Sequence, residues 1–159
     1  MILYFLRHGL AYERVEWLGD DSLRPLTEKG LERMRQEAQV LANLDLELDA
    51  ILTSPFTRAL QTAQIIAERL NLTDRLVEDN RLAPGFGLDE LTELLTIFPN
   101  AQGLMLVGHE PDFSEIISSL IGGGEIVCKK GGLARVVLQN ITTLAGRLEW
   151  LIPPGVLTR

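Results

Sequence analysis

The sequence predicts an α/β fold with a mainly parallel sheet, helices on both faces of that sheet, and an antiparallel pair of edge strands near the C-terminus. Short apolar segments alternate with amphipathic helical segments over the first 124 residues, which is typical of parallel strands covered on both faces. The helical pattern then stops, and two strand-like segments follow with no helix of useful length between them. The 159 residues have the length of one domain, which we expect to span 1–159.

The first elements along the chain are a strand, a polar loop and a helix. Residues 2–6 (ILYFL) form a continuous apolar segment and predict a buried strand. A polar loop over residues 11–25 follows. Thr27 has the chemistry of a helix N-cap, so we expect an amphipathic helix over residues 28–42.

The same order of strand and helix then repeats. Residues 49–53 (DAILT) predict a second strand, and Ser54 and Pro55 predict the N-cap and first position of the next helix. Small residues on the apolar face of that helix allow close packing on a sheet. Residues 75–78 predict a weaker strand.

The remaining elements follow from apolar spacing and from glycine and proline. Pro99 ends a predicted helix that begins near Leu88, and glycines 122–124 end another that begins at Pro111. The further predicted strands cover residues 104–107, 133–138 and 147–152.

Composition limits the classes of partner. Hydrophobic residues make up 46% of the chain and charged residues 23%, which is typical of a globular protein. The net charge of −7 disfavours nucleic acid and anionic membranes as partners. The single cysteine, Cys128, excludes an intrachain disulfide and a zinc–thiolate cluster. Without a recognisable targeting segment or an apolar stretch of about 18 residues, the prediction is a cytoplasmic protein.

Both histidines of the chain follow the ends of predicted strands. The first strand ends in Leu6-Arg7-His8-Gly9, and the strand at 104–107 is followed by Gly108-His109-Glu110. Arg58 lies just beyond the second strand. Ligands of open α/β sheets bind beyond the carboxyl ends of the strands, so we expect these side chains to converge on one site.

The predicted site suits a phosphate-like anion. Helix N-termini favour anions, and the guanidinium groups of Arg7 and Arg58 match phosphate oxygens. A neutral histidine in such a pocket can accept a phosphoryl group as a nucleophile. His8 is the better candidate because Gly9 beside it allows close approach of backbone and substrate. His109 and the two arginines would then neutralise charge on the transferring group.

These segments resemble the histidine phosphatase (phosphoglycerate mutase-like) superfamily. The resemblance rests on Leu6-Arg7-His8-Gly9, on Gly108-His109-Glu110, and on Ser54-Pro55-x-x-Arg58-Ala59-x-Gln61-Thr62-Ala63, in the family's order. Pro25-Leu26-Thr27-x-x-Gly30 fits the family's usual entry to its first helix. The resemblance covers residues 1–122 and implies that His8 is phosphorylated while Arg7, Arg58 and His109 complete the phosphate pocket.

One departure from the superfamily bears on the substrate. Mutases and many monoesterases of the family carry a general acid in a Leu-x-Glu motif, where this chain has Arg81-Leu82-Ala83-Pro84. A phosphoramidate such as phosphohistidine has a labile P–N bond and needs less help from an acid than an alkyl phosphate. The departure resembles the SixA branch of phosphohistidine phosphatases. Glu78, Asp79 or Glu110 remains available as an acid.

The resulting hypothesis is a phosphatase that acts on a histidine-phosphorylated protein, such as a phosphorelay or phosphocarrier domain. No cofactor and no metal are expected, since the two histidines lack HExxH spacing and a third ligand. One alternative is a small-molecule phosphomonoesterase with Glu78 or Asp79 as acid. Another is a non-catalytic phosphate- or phosphoprotein-binding module.

The same residues also have ordinary structural interpretations. His8 could cap a strand end, Arg7 could pair with a surface carboxylate, and Arg58 could be a solvated helix residue. Cys128, far from the motifs in sequence, is expected to be a small strand residue. The glycines at 122–124 follow a helix, so they predict a helix stop and no nucleotide site.

Overall fold

The computed structural model of the protein describes residues 1–158. It contains a mixed six-stranded sheet in the order β3-β2-β4-β1-β5-β6. Neighbouring strands from β3 to β1 run parallel, whereas β5 is antiparallel to both β1 and β6. The strands are β1 Ile2–Arg7, β2 Ala50–Thr53, β3 Leu76–Glu78, β4 Gly103–Gly108, β5 Leu133–Asn140 and β6 Ala145–Ile152. The predicted α/β class, a mainly parallel sheet with an antiparallel edge pair, is confirmed.

Helices connect the parallel strands, as the sequence predicts. The helices are α1 Glu28–Leu41, α2 Thr57–Leu70, α3 Leu88–Ile97, α4 Asp112–Leu120 and the short α5 Pro154–Leu157. The hydroxyl of Thr27 accepts a hydrogen bond from the N–H of Gly30 at 3.0 Å, which confirms Thr27 as the N-cap of α1. Over residues 1–158, no helix combines the length and the apolar character needed to cross a membrane.

The central strands β1, β2 and β4 are buried on both faces of the sheet. Along β1, Leu3 and Phe5 pack into the core beneath α3 and α4, whereas Tyr4 and Leu6 pack into the core beneath α1 and α2. Successive side chains of a strand point to opposite faces, so a fully apolar strand supplies both cores. This explains why the predicted strands are continuous apolar segments.

The start of α2 differs from the sequence prediction. The helix begins at Thr57, and its N-cap position is Phe56, which makes no side-chain capping bond. Ser54 was predicted as the N-cap, but its hydroxyl accepts from the N–H of Phe56 at 3.2 Å and is hydrogen-bonded to His109 at 2.8 Å. That prediction was wrong because this hydroxyl serves a turn and a distant histidine.

The register of the central strands places the predicted motifs at one edge of the sheet. Arg7 at the end of β1 pairs with Gly108 at the end of β4. Thr53 at the end of β2 pairs with Val107, one residue earlier on β4. The residues that follow these three strands therefore emerge side by side.

Candidate active site

The structure brings together the four side chains predicted to form the site. Arg7 ends β1 and His8 follows it, Arg58 is the second residue of α2, and His109 follows β4. His8, Arg58 and His109 are only 5%, 4% and 3% exposed. The centroids of the two imidazole rings lie 5.3 Å apart. Side chains from three segments that are distant in sequence thus lie close together and form one candidate site.

The hydrogen bonds of His8 fix the state of its ring. Nδ1 lies 2.8 Å from the carbonyl oxygen of Gly9, and because a carbonyl only accepts, Nδ1 carries the proton. Nε2 is then the lone-pair nitrogen, and it accepts from Nε of Arg58 at 3.3 Å. Burial, together with the positive charges nearby, holds the pKa of His8 well below its ordinary value of 6.5. His8 is therefore a neutral base with its lone pair directed at an arginine.

Arg58 is held by a residue that was not predicted. Its Nη1 donates to the backbone carbonyl of Asp21 at 2.8 Å, and its Nη2 donates to the Asp21 carboxylate at 3.1 Å. The guanidinium also lies 5.0 Å from the ring centroid of Phe56. Asp21 belongs to a 3₁₀ turn in the polar loop, where nothing in the sequence separates it from the neighbouring Asp20. These contacts fix the direction in which Arg58 presents its Nε.

Arg7 is anchored at one nitrogen and free at another. Its Nη1 donates to the carbonyl of Cys128 at 2.8 Å, whereas its Nε is buried and makes no hydrogen bond within residues 1–158. No carboxylate of that part of the chain forms an ion pair with Arg7. A buried donor without a partner is costly, so this nitrogen is suited to meet an anion.

Cys128 corrects a second sequence prediction. It was expected to be a strand residue far from the motifs, but it lies outside the strands and its carbonyl is a direct partner of Arg7. Nearby, the N–H of Gly131 donates to the carbonyls of both Arg7 and His8 at 3.1 Å. The segment before β5 therefore supports the end of β1. A separation of 121 residues hid this contact from motif analysis.

His109 is as buried as His8, but its partners differ. Its Nε2 is hydrogen-bonded to the hydroxyl of Ser54, and its ring stands edge-on to Phe56 with centroids 5.2 Å apart. Its Nδ1 is buried without a hydrogen-bond partner in the described chain. Burial and the positive charge of Arg58 lower the pKa of His109 to about 3. This ring is also neutral, with one nitrogen unoccupied.

Gly9 has a structural role beside its predicted one. A Cβ at this position would lie 2.7 Å from Cγ of Met34 on α1, so glycine permits the close packing of this loop on the helix. Its N–H donates to Thr62 on α2 at 3.1 Å. The direct approach of substrate to Gly9 stays a prediction.

Similarity to known proteins identifies the family of this chain. The family model of the histidine phosphatase superfamily (branch 1) matches residues 3–87. The chain belongs to this superfamily. It is 36% identical, over 96% of its length, to the full length of an uncharacterized protein of Picosynechococcus sp.. It is 28% identical to the phosphohistidine phosphatase SixA of Escherichia coli over 77% of this chain and 76% of that one.

Similarity to a solved structure indicates the branch of the superfamily to which the chain belongs. The chain superposes on a structure of the protein histidine phosphatase SixA complexed with tungstate with a TM-score of 0.87, at 26% identity and 99% coverage of both chains. The chain therefore lies in the SixA branch.

The three carboxylates named as possible acids lie in different settings. Asp79 is paired with Arg81 at 2.6 Å, and this pairing lowers the pKa of Asp79, which keeps it ionised. Glu78 is exposed at the end of the edge strand β3. Glu110 accepts from Ser114 at 2.6 Å through Oε2, and its Oε1 is buried without a partner in the described chain.

The superfamily's Leu-x-Glu position is occupied differently here. The corresponding Pro84 has no acidic group, and the N–H groups of the next two residues donate to Asp112 at 2.8 and 3.2 Å. Asp112 is thereby engaged in holding the turn. Among residues 1–158, no three His, Cys, Asp or Glu side chains are grouped so that they could hold a metal ion.

Proposed function

We propose that the protein is a metal-independent phosphatase that removes the phosphoryl group from phosphohistidine on another protein, through a covalent phospho-His8 intermediate. The observation that carries this proposal is the state of His8. It is a buried neutral imidazole with its proton on Nδ1 and its Nε2 lone pair beside the guanidinium of Arg58. Such a nitrogen is nucleophilic at neutral pH without the assistance of a base.

The first step transfers the phosphoryl group to His8. Nε2 forms a bond to phosphorus while the P–N bond of the substrate breaks, and the electron pair of that bond leaves with the substrate imidazole. An imidazole already protonated on its other nitrogen leaves as a neutral molecule. The transfer therefore needs no proton from the protein, which accords with the absence of an acid at Pro84.

The second step returns His8 to its starting state. A water molecule forms a bond to phosphorus, the bond from phosphorus to Nε2 breaks, and the electron pair returns to that nitrogen. The product is inorganic phosphate, and the proton of the attacking water is lost to phosphate or to solvent. Dividing a displacement into two in-line transfers of this kind is the purpose of a covalent intermediate.

The remaining groups stabilise charge on the transferring phosphoryl. We assign Nε of Arg7 and Nδ1 of His109 as donors to its oxygens, since both are buried and unpartnered in the described chain. For His109 this requires the hydroxyl of Ser54 to donate to Nε2, so that Nδ1 carries the proton. Each such donor acts in a site shielded from water, where a hydrogen bond to developing charge is strong.

Similarity to SixA supports a protein-borne substrate. The alternative of a monoesterase is weakened for Asp79 as the acid, because Asp79 is ionised and paired with Arg81, whereas Glu78 stays open as an acid. Glu110 has a buried oxygen without a partner in the described chain, and a role for Glu110 as an acid would favour monoesters.

The test compares leaving groups on the same enzyme. A histidine-phosphorylated phosphocarrier or phosphotransfer domain and a panel of phosphate monoesters are offered separately, with and without a chelator. We expect a higher kcat/KM for the phosphohistidine protein, unchanged by chelator, and a trapped phosphoenzyme that is labile in acid and stable in base.

Three results would contradict the proposal. Faster turnover of the monoesters would assign the protein to the monoesterases, and activity that survives His8→Ala would remove the nucleophile. Phosphate binding with no turnover of any substrate would indicate a binding module.

A further inference from the structure

A loop beside the pocket exposes a cluster of large apolar side chains. Residues 12–23 lie within the polar segment 11–25 but are hereafter called the apolar loop for their exposed apolar side chains. Val15, Leu18 and Leu23 are 90%, 100% and 62% exposed, and Tyr12 is 40% exposed. A backbone bridge between Ala11 and Leu26 closes the base of the loop. Single exposed apolar residues are common on protein surfaces, but several in one short loop make that loop a candidate interaction surface.

The apolar loop has an internal framework of hydrogen bonds. The indole of Trp17 donates to the carbonyl of Asp20 at 2.9 Å, and the hydroxyl of Ser22 donates to the Asp20 carboxylate at 2.7 Å. Arg24 donates to the carbonyl of Tyr12 and pairs with Asp21. These hydrogen bonds fix the backbone of the loop, so its exposed aliphatic side chains have a defined position.

Two contacts join the apolar loop to the pocket. Asp21 holds the guanidinium of Arg58 through its carbonyl and its carboxylate. Lys130, two residues beyond the Cys128 partner of Arg7, pairs with Glu13 at 3.1 Å. Arg14 adds positive charge at the same rim, close enough to contribute to lowering the pKa of Arg58.

From this arrangement we infer that the apolar loop is the docking surface for the folded protein domain that carries the phosphohistidine. The inference rests on the proposed function. His8 and His109 are nearly buried, so a phosphoryl group must be inserted into the pocket, and the surface around the phosphohistidine is then pressed against the rim. The partner that fits has apolar side chains around its phosphohistidine, while the negative phosphoryl complements Arg14, Arg58 and Arg7.

The experiment separates docking from chemistry. Val15→Ser with Leu18→Ser removes the apolar contact without changing charge, and kcat/KM is measured for free phosphohistidine and for a histidine-phosphorylated phosphocarrier domain. We expect about a tenfold fall for the protein substrate, mainly through KM, because the complex removes these two apolar side chains from water. Turnover of free phosphohistidine should stay within about twofold.

A matched control uses two exposed apolar residues at the opposite edge of the sheet. Ile97, at the C-terminal end of α3, and Ile141, after β5, are 53% and 44% exposed. Ile97→Ser with Ile141→Ser should leave both substrates unaffected.

Three results would overturn the inference. The first is an equal fall for both substrates, or no fall for either. The second is a wild-type dimer in sedimentation that becomes a monomer in the double variant, since a second copy of the chain would then cover the loop. The third is a wild-type protein that turns over neither free phosphohistidine nor the phosphorylated carrier domain, which would overturn the proposed function and the docking inference together.

Discussion

His8 at the end of β1 and His109 at the end of β4 are buried to a similar extent, but opposite nitrogens of the two rings are hydrogen-bonded to the protein framework. At the end of β1, the backbone fixes the Nδ1 proton of His8 and leaves Nε2 facing Arg58. At the end of β4, the hydroxyl of Ser54 engages Nε2 of His109 and leaves Nδ1 without a partner in residues 1–158. Burial and nearby positive charge keep both rings neutral, so the difference between the proposed nucleophile and the proposed charge-stabilising donor comes from their hydrogen bonds.

Removal of each imidazole ring in turn tests whether the two histidines have different roles. His8→Ala should lower kcat on a phosphohistidine protein by about 10⁴-fold or more, because the covalent route disappears. His109→Ala should cost about 10²- to 10³-fold, the range for one donor to transition-state charge. Rapid-quench trapping with labelled substrate should show phosphoenzyme in the His109 variant and none in the His8 variant. Equal losses, or phosphoenzyme in the His8 variant, would contradict the assignment.

Substitution of Asp21, which holds Arg58 beside His8, should have a smaller effect than removal of either histidine. Asp21→Asn keeps the backbone contact with Arg58 but removes the negative charge, so Arg58 should be less well oriented and the pocket more positive. We expect kcat to fall about tenfold and inhibition by inorganic phosphate to become tighter. Asp20→Asn is the matched control, since Asp20 carries the same charge in the same loop without contacting Arg58.

These outcomes separate a positioning role from a structural one. A loss of stability in Asp21→Asn, with kcat and phosphate inhibition unchanged, would show that Asp21 only maintains the loop. The same changes in Asp20→Asn would show that the general charge of the loop is responsible.

Residues that follow strand ends were predictable, and their anchors were not. Arg7, His8, Arg58 and His109 each stand at a fixed place in a repeated strand–helix pattern, so topology alone brings them together. Asp21, and Cys128 through its carbonyl, reach the site from loops, whose paths depend on tertiary packing. Ser54 lies in a recognised motif, but its hydroxyl was assigned to the helix when it serves His109.

Ser54→Ala tests the His109 end with a single atom. The variant removes the partner of Nε2 and leaves a buried ring nitrogen without a hydrogen bond, which costs about 1–3 kcal/mol. We expect kcat to fall several-fold, which is less than for His109→Ala, because the ring remains in place against Phe56. Ser54→Thr retains a hydroxyl and should recover part of the activity. A variant with full activity would show that the Ser54 contact does not set the tautomer of His109.

A third buried titratable group, the carboxyl of Glu37, lies outside the pocket. Glu37 on α1 is 1% exposed, its Oε2 has no hydrogen-bond partner in the described chain, and burial raises its pKa to about 8. The Glu37 carboxyl lies close to Gly131, since a Cβ added to Gly131 would be 2.7 Å from Oε1 of Glu37. The N–H of Gly131 donates to the carbonyls of Arg7 and His8. Glu37 lies three residues after Met34 and four before Leu41, so helical spacing places it on the buried face of α1. Its burial was not predicted, because a glutamate is usually exposed.

Glu37 and His109 should give stability opposite dependences on pH. The folded-state pKa of Glu37 lies above its ordinary 4.5, so its stabilising effect is complete below pH 4.5 and declines as the pH rises to about 8. The folded-state pKa of His109 lies below 6.5, so its effect is complete above pH 6.5 and declines as the pH falls towards about 3. Each group changes the free energy of unfolding by about 1.4 kcal/mol per pH unit within its own range.

Glu37→Gln should remove only the loss of stability that occurs as the pH rises towards about 8. Urea unfolding of the variant and the wild type should differ little at pH 4.5, and the variant should gain by a few kcal/mol at pH 8. Activity on phosphohistidine should change least among these variants, because the Glu37 carboxyl makes no hydrogen bond to a pocket residue. A difference in unfolding free energy that is constant from pH 5 to pH 8 would mean that Glu37 is ionised in the folded protein. Burial would then have been overcome by a partner such as Arg33, whose charge favours the ionised form.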